Sequence, residues 1–214
     1  MYVLGSGDVE PSPVADDSTP DGARDRPRDS PRVRARRSDA RRNQAAVVDA
    51  AQRVFAAQGP HAPLAAIAQE AGVGRSTLQR HFPDRYALAA AVYDRNLDAV
   101  ERYAAAHADR PGLLDEMVRR IVRGQRGAAG LFPLMRAVPE AAAQVDRLGE
   151  RLAGLLAPAV EGALARGEVA PGTTTRDVQL VLSMAEGLLV SYDGDERDAA
   201  LDRGVELALR GLRG

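Results

Sequence analysis

Residues 64–82 read LAAIAQEAGVGRSTLQRHF, and the order of small, turning and apolar residues in this run decides the fold. Ala68 is small enough to let a second helix approach the first. Four positions on, Gly72 can take the positive φ that ends a helix tightly and that side chains resist. Six positions further, Leu78 points back into a core. This spacing predicts a helix-turn-helix, with Ile67, Ala71 and Val73 on its buried side. Arg75, Ser76, Thr77, Gln79, Arg80 and His81 are left on or beside the outer face of the second helix. That polar, mostly cationic surface suits a DNA major groove.

Upstream, Val47, Val48, Ala51, Val54 and Phe55 recur at helical spacing. They predict a first helix opening at a Ser38 or Asp39 cap and ending at Gly59-Pro60. Pro63 falls just inside the start of the first helix of the pair, where a missing N–H costs nothing. Residues 1–37 are rich in Pro, Asp, Ser, Gly and Arg without apolar periodicity and read as a disordered tail. Their charge is segregated. Residues 1–23 carry five acids and no base, whereas residues 24–42 carry nine arginines against three aspartates. A cationic block therefore adjoins the helix-turn-helix, with Arg36, Arg37, Arg41 and Arg42 nearest the domain. All 29 basic residues are arginine, which a GC-rich genome explains as readily as phosphate recognition does.

Downstream, Asp84 is placed to cap a long helix running to about His107. Pro111-Gly112 then marks a boundary between a DNA-binding unit, 38–108, and a second unit, 109–214. The second unit is again helical throughout. It contains an amphipathic helix from Leu113, a short LFPLMRAV helix interrupted by Pro133, and a longer one at 139–166 with a kink at Pro158. A nearly all-apolar helix at 174–192 and a last one at about 196–212 follow. No strand is expected, and the fold class is all-α.

Several functions are excluded or disfavoured. The 214 residues hold no cysteine, which removes disulfides, thiolate metal sites and a cysteine nucleophile. The sequence has no phosphate loop and no histidine–acid cluster, and His61, His81 and His107 are too far apart for a local ligand set. No enzyme activity, cofactor or metal is expected. No run of 18 apolar residues suggests a membrane span, and the start does not read as a secretory signal, so the expected compartment is the cytoplasm.

The lead-in ARRNQAAVVDAAQRVFAAQG, followed by LAAIAQEAGVGRSTLQRHFPDRYAL and a less patterned all-helical remainder, resembles the TetR-type transcriptional regulators over roughly residues 40–90. The resemblance rests on IAQEAGV, the Thr77-Leu78 pair, Phe82 and Arg85. It implies an N-terminal three-helix DNA-binding domain and a C-terminal helical domain for ligand binding and dimerisation. It also implies that Arg75, Ser76, Thr77, Gln79 and His81 lie against bases and phosphates, with Arg85 on a phosphate strand. The chain departs from the family pattern in three places. Pro63 replaces a capping Ser or Thr, Gln79 stands where an aromatic is usual, and Gly74 replaces the common Ser. Gln79 can read adenine, and Arg80 can reach guanine or phosphate.

The resemblance further implies a small-molecule effector. Met117, Ile121, Leu131 and Met135 are candidates for the pocket, although such a stripe is also ordinary core. Arg136 and Glu186, charges inside apolar segments, are candidates for orienting a polar effector group. The helix at 174–192 is too apolar around its circumference for a monomer surface. It and the last helix are expected to pair in a homodimer through Leu180, Met184, Leu188, Val205 and Leu209. Two-fold pairing also matches a palindromic operator on double-stranded DNA. The expected function is a repressor released by its effector. The alternative is an all-α sensor or interaction protein whose helix-turn-helix no longer binds DNA.

Overall fold

Nine α-helices follow one another among the residues described in the computed structural model, 31–128, 130–192 and 194–213, with side chains described at Ala40 and from Arg42 onward. They are α1 (Pro31–Gln58), α2 (Leu64–Glu70), α3 (Arg75–His81), α4 (Arg85–Ala106), α5 (Leu113–Arg126), α6 (Leu131–Arg136), α7 (Ala142–Ala165), α8 (Thr175–Ser191) and α9 (Gly194–Gly211). A 3₁₀ turn, Pro139–Ala141, leads into α7.

The largest departure from expectation is at the start. Helix α1 opens at Pro31, not at Ser38, so residues 31–37 of the expected tail are helical. Proline is at home in a first helical turn, and arginine and alanine are strong helix formers. This segment therefore extends a helix without needing the apolar face that sequence periodicity detects. The expected tail over residues 1–30 lies outside the described residues.

Local chemistry explains the other boundaries. Gly59 takes φ 80° to close α1, and Asp84 caps α4 as expected, its Oδ1 accepting the Ala87 N–H at 2.7 Å. Pro63 stands one residue outside α2, as its N-cap, and offers its carbonyl to Ala66 in place of a side-chain cap. Pro133 does not interrupt α6, because it falls in the first turn, where the backbone N–H has no helical partner. Helix α7 runs on through Pro158. Thr174 and Asp177 close a reciprocal capping box at the start of α8.

Two cores hold the helices together. The first joins Val47, Phe55, Ile67, Leu78 and Leu88 of the helix-turn-helix unit to Leu131, Met135 and Leu148. The helix-turn-helix unit thus does not pack alone: α6 and the start of α7 complete its core. The second gathers α5, α8, α9 and the rest of α7 around Leu114, Met117, Leu156 and Leu201. Helix α4 spans both, with Leu88 and Val92 in the first and Val100 in the second.

Ion pairs fix α4 to α7. Arg147 and Arg151 both reach Asp94, at 2.8–2.9 Å, and Arg151 also bonds Asp98 and Glu101. Burial works against the Asp94 charge, but the hydrogen bonds from Arg147 and Arg151 outweigh it and hold that carboxyl below its ordinary range.

Candidate DNA interface and interhelical cavity

The turn between α2 and α3 follows from Gly72. It takes φ 65°, donating its N–H to Gln69 at 3.1 Å, while Val73 donates to Ala68 at 3.0 Å. These paired bonds form the Schellman closure and fix the angle at which α3 leaves. A side chain at Gly72 would meet nothing within 4 Å, so backbone conformation, not space, calls for glycine there. Gly74 then starts α3 without a side-chain cap, its carbonyl accepting from Thr77 and Leu78.

Leu78 is buried to 1% and anchors α3. Arg75, Ser76, Gln79 and Arg80 are exposed, whereas Thr77 and His81 are half-buried along the flanks. At 100° per residue the four exposed positions fall within one arc of roughly 140°, wide enough to present a single surface. Arg42 is exposed on α1; Arg41 belongs to the same helix, and its side chain lies outside the described set. Arg85 is half-buried and directs one N–H to the Pro60 carbonyl at 3.0 Å. It therefore braces the α1–α2 loop, in addition to the phosphate role implied by resemblance.

A second feature lies between α4, α5, α7 and α8, where a cavity of about 770 Å³ opens. Leu97, Ile121, Leu148 and Leu182 form apolar walls, and Tyr93, Asn96, Gln125, Gln179, Ser183 and Glu186 supply polar atoms. Of the residues expected there, Ile121, Arg136 and Glu186 line it. Met117, Leu131 and Met135 do not. They are wholly buried packing groups, Met117 bordering a separate smaller cavity and Leu131 and Met135 closing the first core.

Glu186 is the one buried charged residue among those described, at 8% exposure. Burial pushes its carboxyl up to about 7, and the Tyr93 hydrogen bond and the Arg136 field only partly offset this. The Tyr93 hydroxyl lies 3.3 Å from Glu186 Oε1 and 3.3 Å from the Ala128 carbonyl, and it accepts the Phe132 N–H at 3.1 Å. Burial, then the neighbouring Glu186 charge, hold the Tyr93 hydroxyl well above its ordinary value. Sequence reasoning did not single out Tyr93 or the Gln179–Ser183–Glu186 row. A visible signal existed: in α8 these polar residues recur at spacings of four and three, a stripe along an otherwise apolar helix.

The expected dimer face divides. Leu180 (49% exposed) and Met184 (63%) face outward and Leu188 is half-buried, and Leu207 of α9 is also exposed. Val205 and Leu209 instead point into the protein's own second core, at 4% and 2% exposure. Helix α9 carries apolar residues on two faces, and the face with Val205 and Leu209 is used internally.

Known proteins resemble the chain in both sequence and structure. The family described as bacterial regulatory proteins, tetR family, matches residues 47–92. The HTH-type transcriptional repressor LfrR of Mycolicibacterium smegmatis is 36% identical over 171 residues, which make up 75% of this chain and 85% of that protein. A TetR transcription regulatory protein from Mycobacterium vanbaalenii superposes with TM-score 0.57 at 28% identity, covering 83% of this chain and 99% of the other. A TetR transcriptional regulator from Streptomyces coelicolor gives 0.56 at 27%, covering 79% and 98%.

Proposed function

This chain belongs to the TetR family of bacterial regulatory proteins and is a DNA-binding transcriptional regulator; from that premise we propose that it is a homodimeric repressor released from a palindromic operator by a small molecule. The observation that carries the DNA half is α3 itself, anchored by Leu78 and presenting Arg75, Ser76, Gln79 and Arg80 outward. Gln79 and Arg80 have the donors to read base edges, and Arg75, Ser76, Thr77 and His81 lie at the near end and flanks for phosphate or base contact. Arg42 on α1 and Arg85 at the start of α4 add cationic charge, as does Arg41 by its place in the sequence, and each phosphate neutralised steepens the salt dependence by about 0.9 in log–log slope.

One short helix reads too few bases to pick a site from a genome. The exposed apolar residues Leu180 and Met184 of α8 and Leu207 of α9 support pairing of these helices across a two-fold axis, which doubles the site. Residues 38–108 form the DNA-binding unit with its connecting helix, and residues 109–214 the effector and dimerisation unit, whose α6 packs in the first core. The cavity beside Glu186 is the effector site, and the cytoplasm is where such a regulator meets chromosomal DNA. Repression is supported by the LfrR relative, a transcriptional repressor by name. An effector acts only if it binds the released conformation better than the DNA-bound one.

The test is selection of genomic fragments on the purified dimer, followed by band shifts at low and moderate salt. A fragment bound at nanomolar protein, with affinity falling as salt rises, is expected. If no chromosomal segment is retarded even in dilute buffer, the proposal fails.

A further inference from the structure

Granting that the cavity is the effector site, its chemistry narrows the effector. Leu97, Val100, Ile121, Leu148, Leu152 and Leu182 give it apolar stretches of wall between the polar groups, so the ligand carries a substantial hydrocarbon or aromatic part. Of the charged groups around it, Arg136 from α6, Asp146 and Glu150 from α7, and Arg176 on α8 are exposed, so water already solvates them. Tyr93 of α4 is the remaining titratable neighbour, and α5 contributes only the uncharged Ile121 and Gln125. Glu186 alone is buried, and Arg136 acts on it through its field without a hydrogen bond. A buried carboxylate lacking a cationic hydrogen-bond partner is costly, and a ligand that brings the missing charge recovers that cost. Beside it stand two aromatic rings, Tyr93 and Phe132, packed edge to face with centroids 5.5 Å apart. A carboxylate next to aromatic rings attracts a desolvated organic cation through both charge and ring quadrupole.

We propose that the effector is a lipophilic organic cation, a bulky protonated amine or an aromatic quaternary ion, with the Glu186 carboxylate as its counter-charge. A cation must find Glu186 ionised. Because burial places that carboxyl near 7, binding below neutral pH displaces a proton. Between pH 8 and pH 6 the ionised fraction, and with it the affinity, falls about tenfold.

Tetraphenylphosphonium and tetraphenylborate share shape and size and differ in sign, which makes them the probes. Titration of each into the full chain by calorimetry is expected to show the phosphonium bound at least about tenfold more tightly (about 1.4 kcal/mol). Its affinity is expected to fall about tenfold from pH 8 to pH 6, with close to one proton released at pH 6. In Glu186→Gln the phosphonium affinity is expected to fall by about the same factor and the pH dependence to flatten. The charge comparison and pH profile are read on the wild-type chain, so they stand whether or not the variant folds. Equal or better binding of tetraphenylborate, binding of neither ion, or unchanged affinity in a folded Glu186→Gln would overturn the proposal. Adding the same ions to a preformed protein–DNA complex separates the two readings. Phosphonium binding without DNA release sinks the effector role and leaves the cation site standing. Release by tetraphenylborate alone keeps the effector role and sinks the cation site.

Discussion

Replacing Glu186 by glutamine is expected to stabilise the protein above neutral pH and to do little in acid. In the folded state burial raises this carboxyl from its ordinary 4.5 to about 7. In the unfolded chain, exposed to water, it returns to near 4.5. Below that value both states hold the proton and the group costs nothing. Between 4.5 and 7 the folded state binds the proton more tightly, so stability is lost as pH rises. Above 7 the loss is complete. At about 1.4 kcal/mol per pH unit, the full displacement amounts to roughly 3 kcal/mol. Glutamine resembles the protonated acid in shape and can still accept from the Tyr93 hydroxyl, yet it carries no charge to desolvate. Urea unfolding of both proteins at several pH values from 5 to 8, without ligand and at one protein concentration, measures the difference. The variant's advantage should grow from under about 1 kcal/mol at pH 5 to about 3 kcal/mol at pH 8. An advantage that does not change with pH, or a wild type that gains on the variant as pH rises, would refute the reasoning.

Leu78→Ala should destabilise the protein by about 2–5 kcal/mol in urea, since it empties the anchor of α3. Arg75→Ala and Thr77→Ala, on the outer face and flank, should leave the unfolding midpoint within about 0.5 kcal/mol while weakening operator binding in band shifts. Gly72→Ala should cost about 1–2 kcal/mol from positive φ alone, with Gly72→Asn costing less; equal costs in urea unfolding would count against the conformational origin. Met184→Arg should give a monomer by sedimentation with its helical circular dichroism retained. Val205→Arg, buried in the second core, should instead lose helical signal.

The helix-turn-helix was legible because everything that makes it is local: Gly72, Ala68 and Leu78 sit within eleven residues and obey backbone rules. The start of α1 was not legible. An arginine–alanine helix without an apolar face leaves no period, so residues 31–37 looked like a tail. The cavity was half legible. A charge inside the apolar α8 pointed to Glu186, and Ile121 and Arg136 also fell on the wall, because lone charges and amphipathic faces leave a trace in sequence. Met117, Leu131 and Met135 did not fall there, since nothing in a stripe of apolar residues says whether it faces a void or a neighbouring helix. The same ambiguity sent Val205 and Leu209 to the dimer face, when α9 turns them inward and leaves Leu207 outside.

A chain of contacts runs from the cavity towards α3, and it begins at one proton. The Tyr93 hydroxyl faces two acceptors at equal distance, Glu186 and the Ala128 carbonyl, and has a single O–H to give. When Glu186 is protonated, its own O–H can bond Tyr93, and the Tyr93 proton is available to Ala128. When Glu186 is ionised, the carboxylate is the stronger acceptor and draws that proton away, leaving the Ala128 carbonyl short of a partner. Ala128 is buried in the first core, and Gly130, just beyond it, rests against Pro60 so closely that a Cβ would come within 3.1 Å of the ring. The Pro60 carbonyl in turn holds Arg85, the first residue of α4 after the recognition helix. The path from cavity to DNA face is therefore a set of contacts within one shared core. Helix α6 supplies Leu131 and Met135 to the first core and Arg136 to the cavity wall, so the helix-turn-helix core and the cavity share an element.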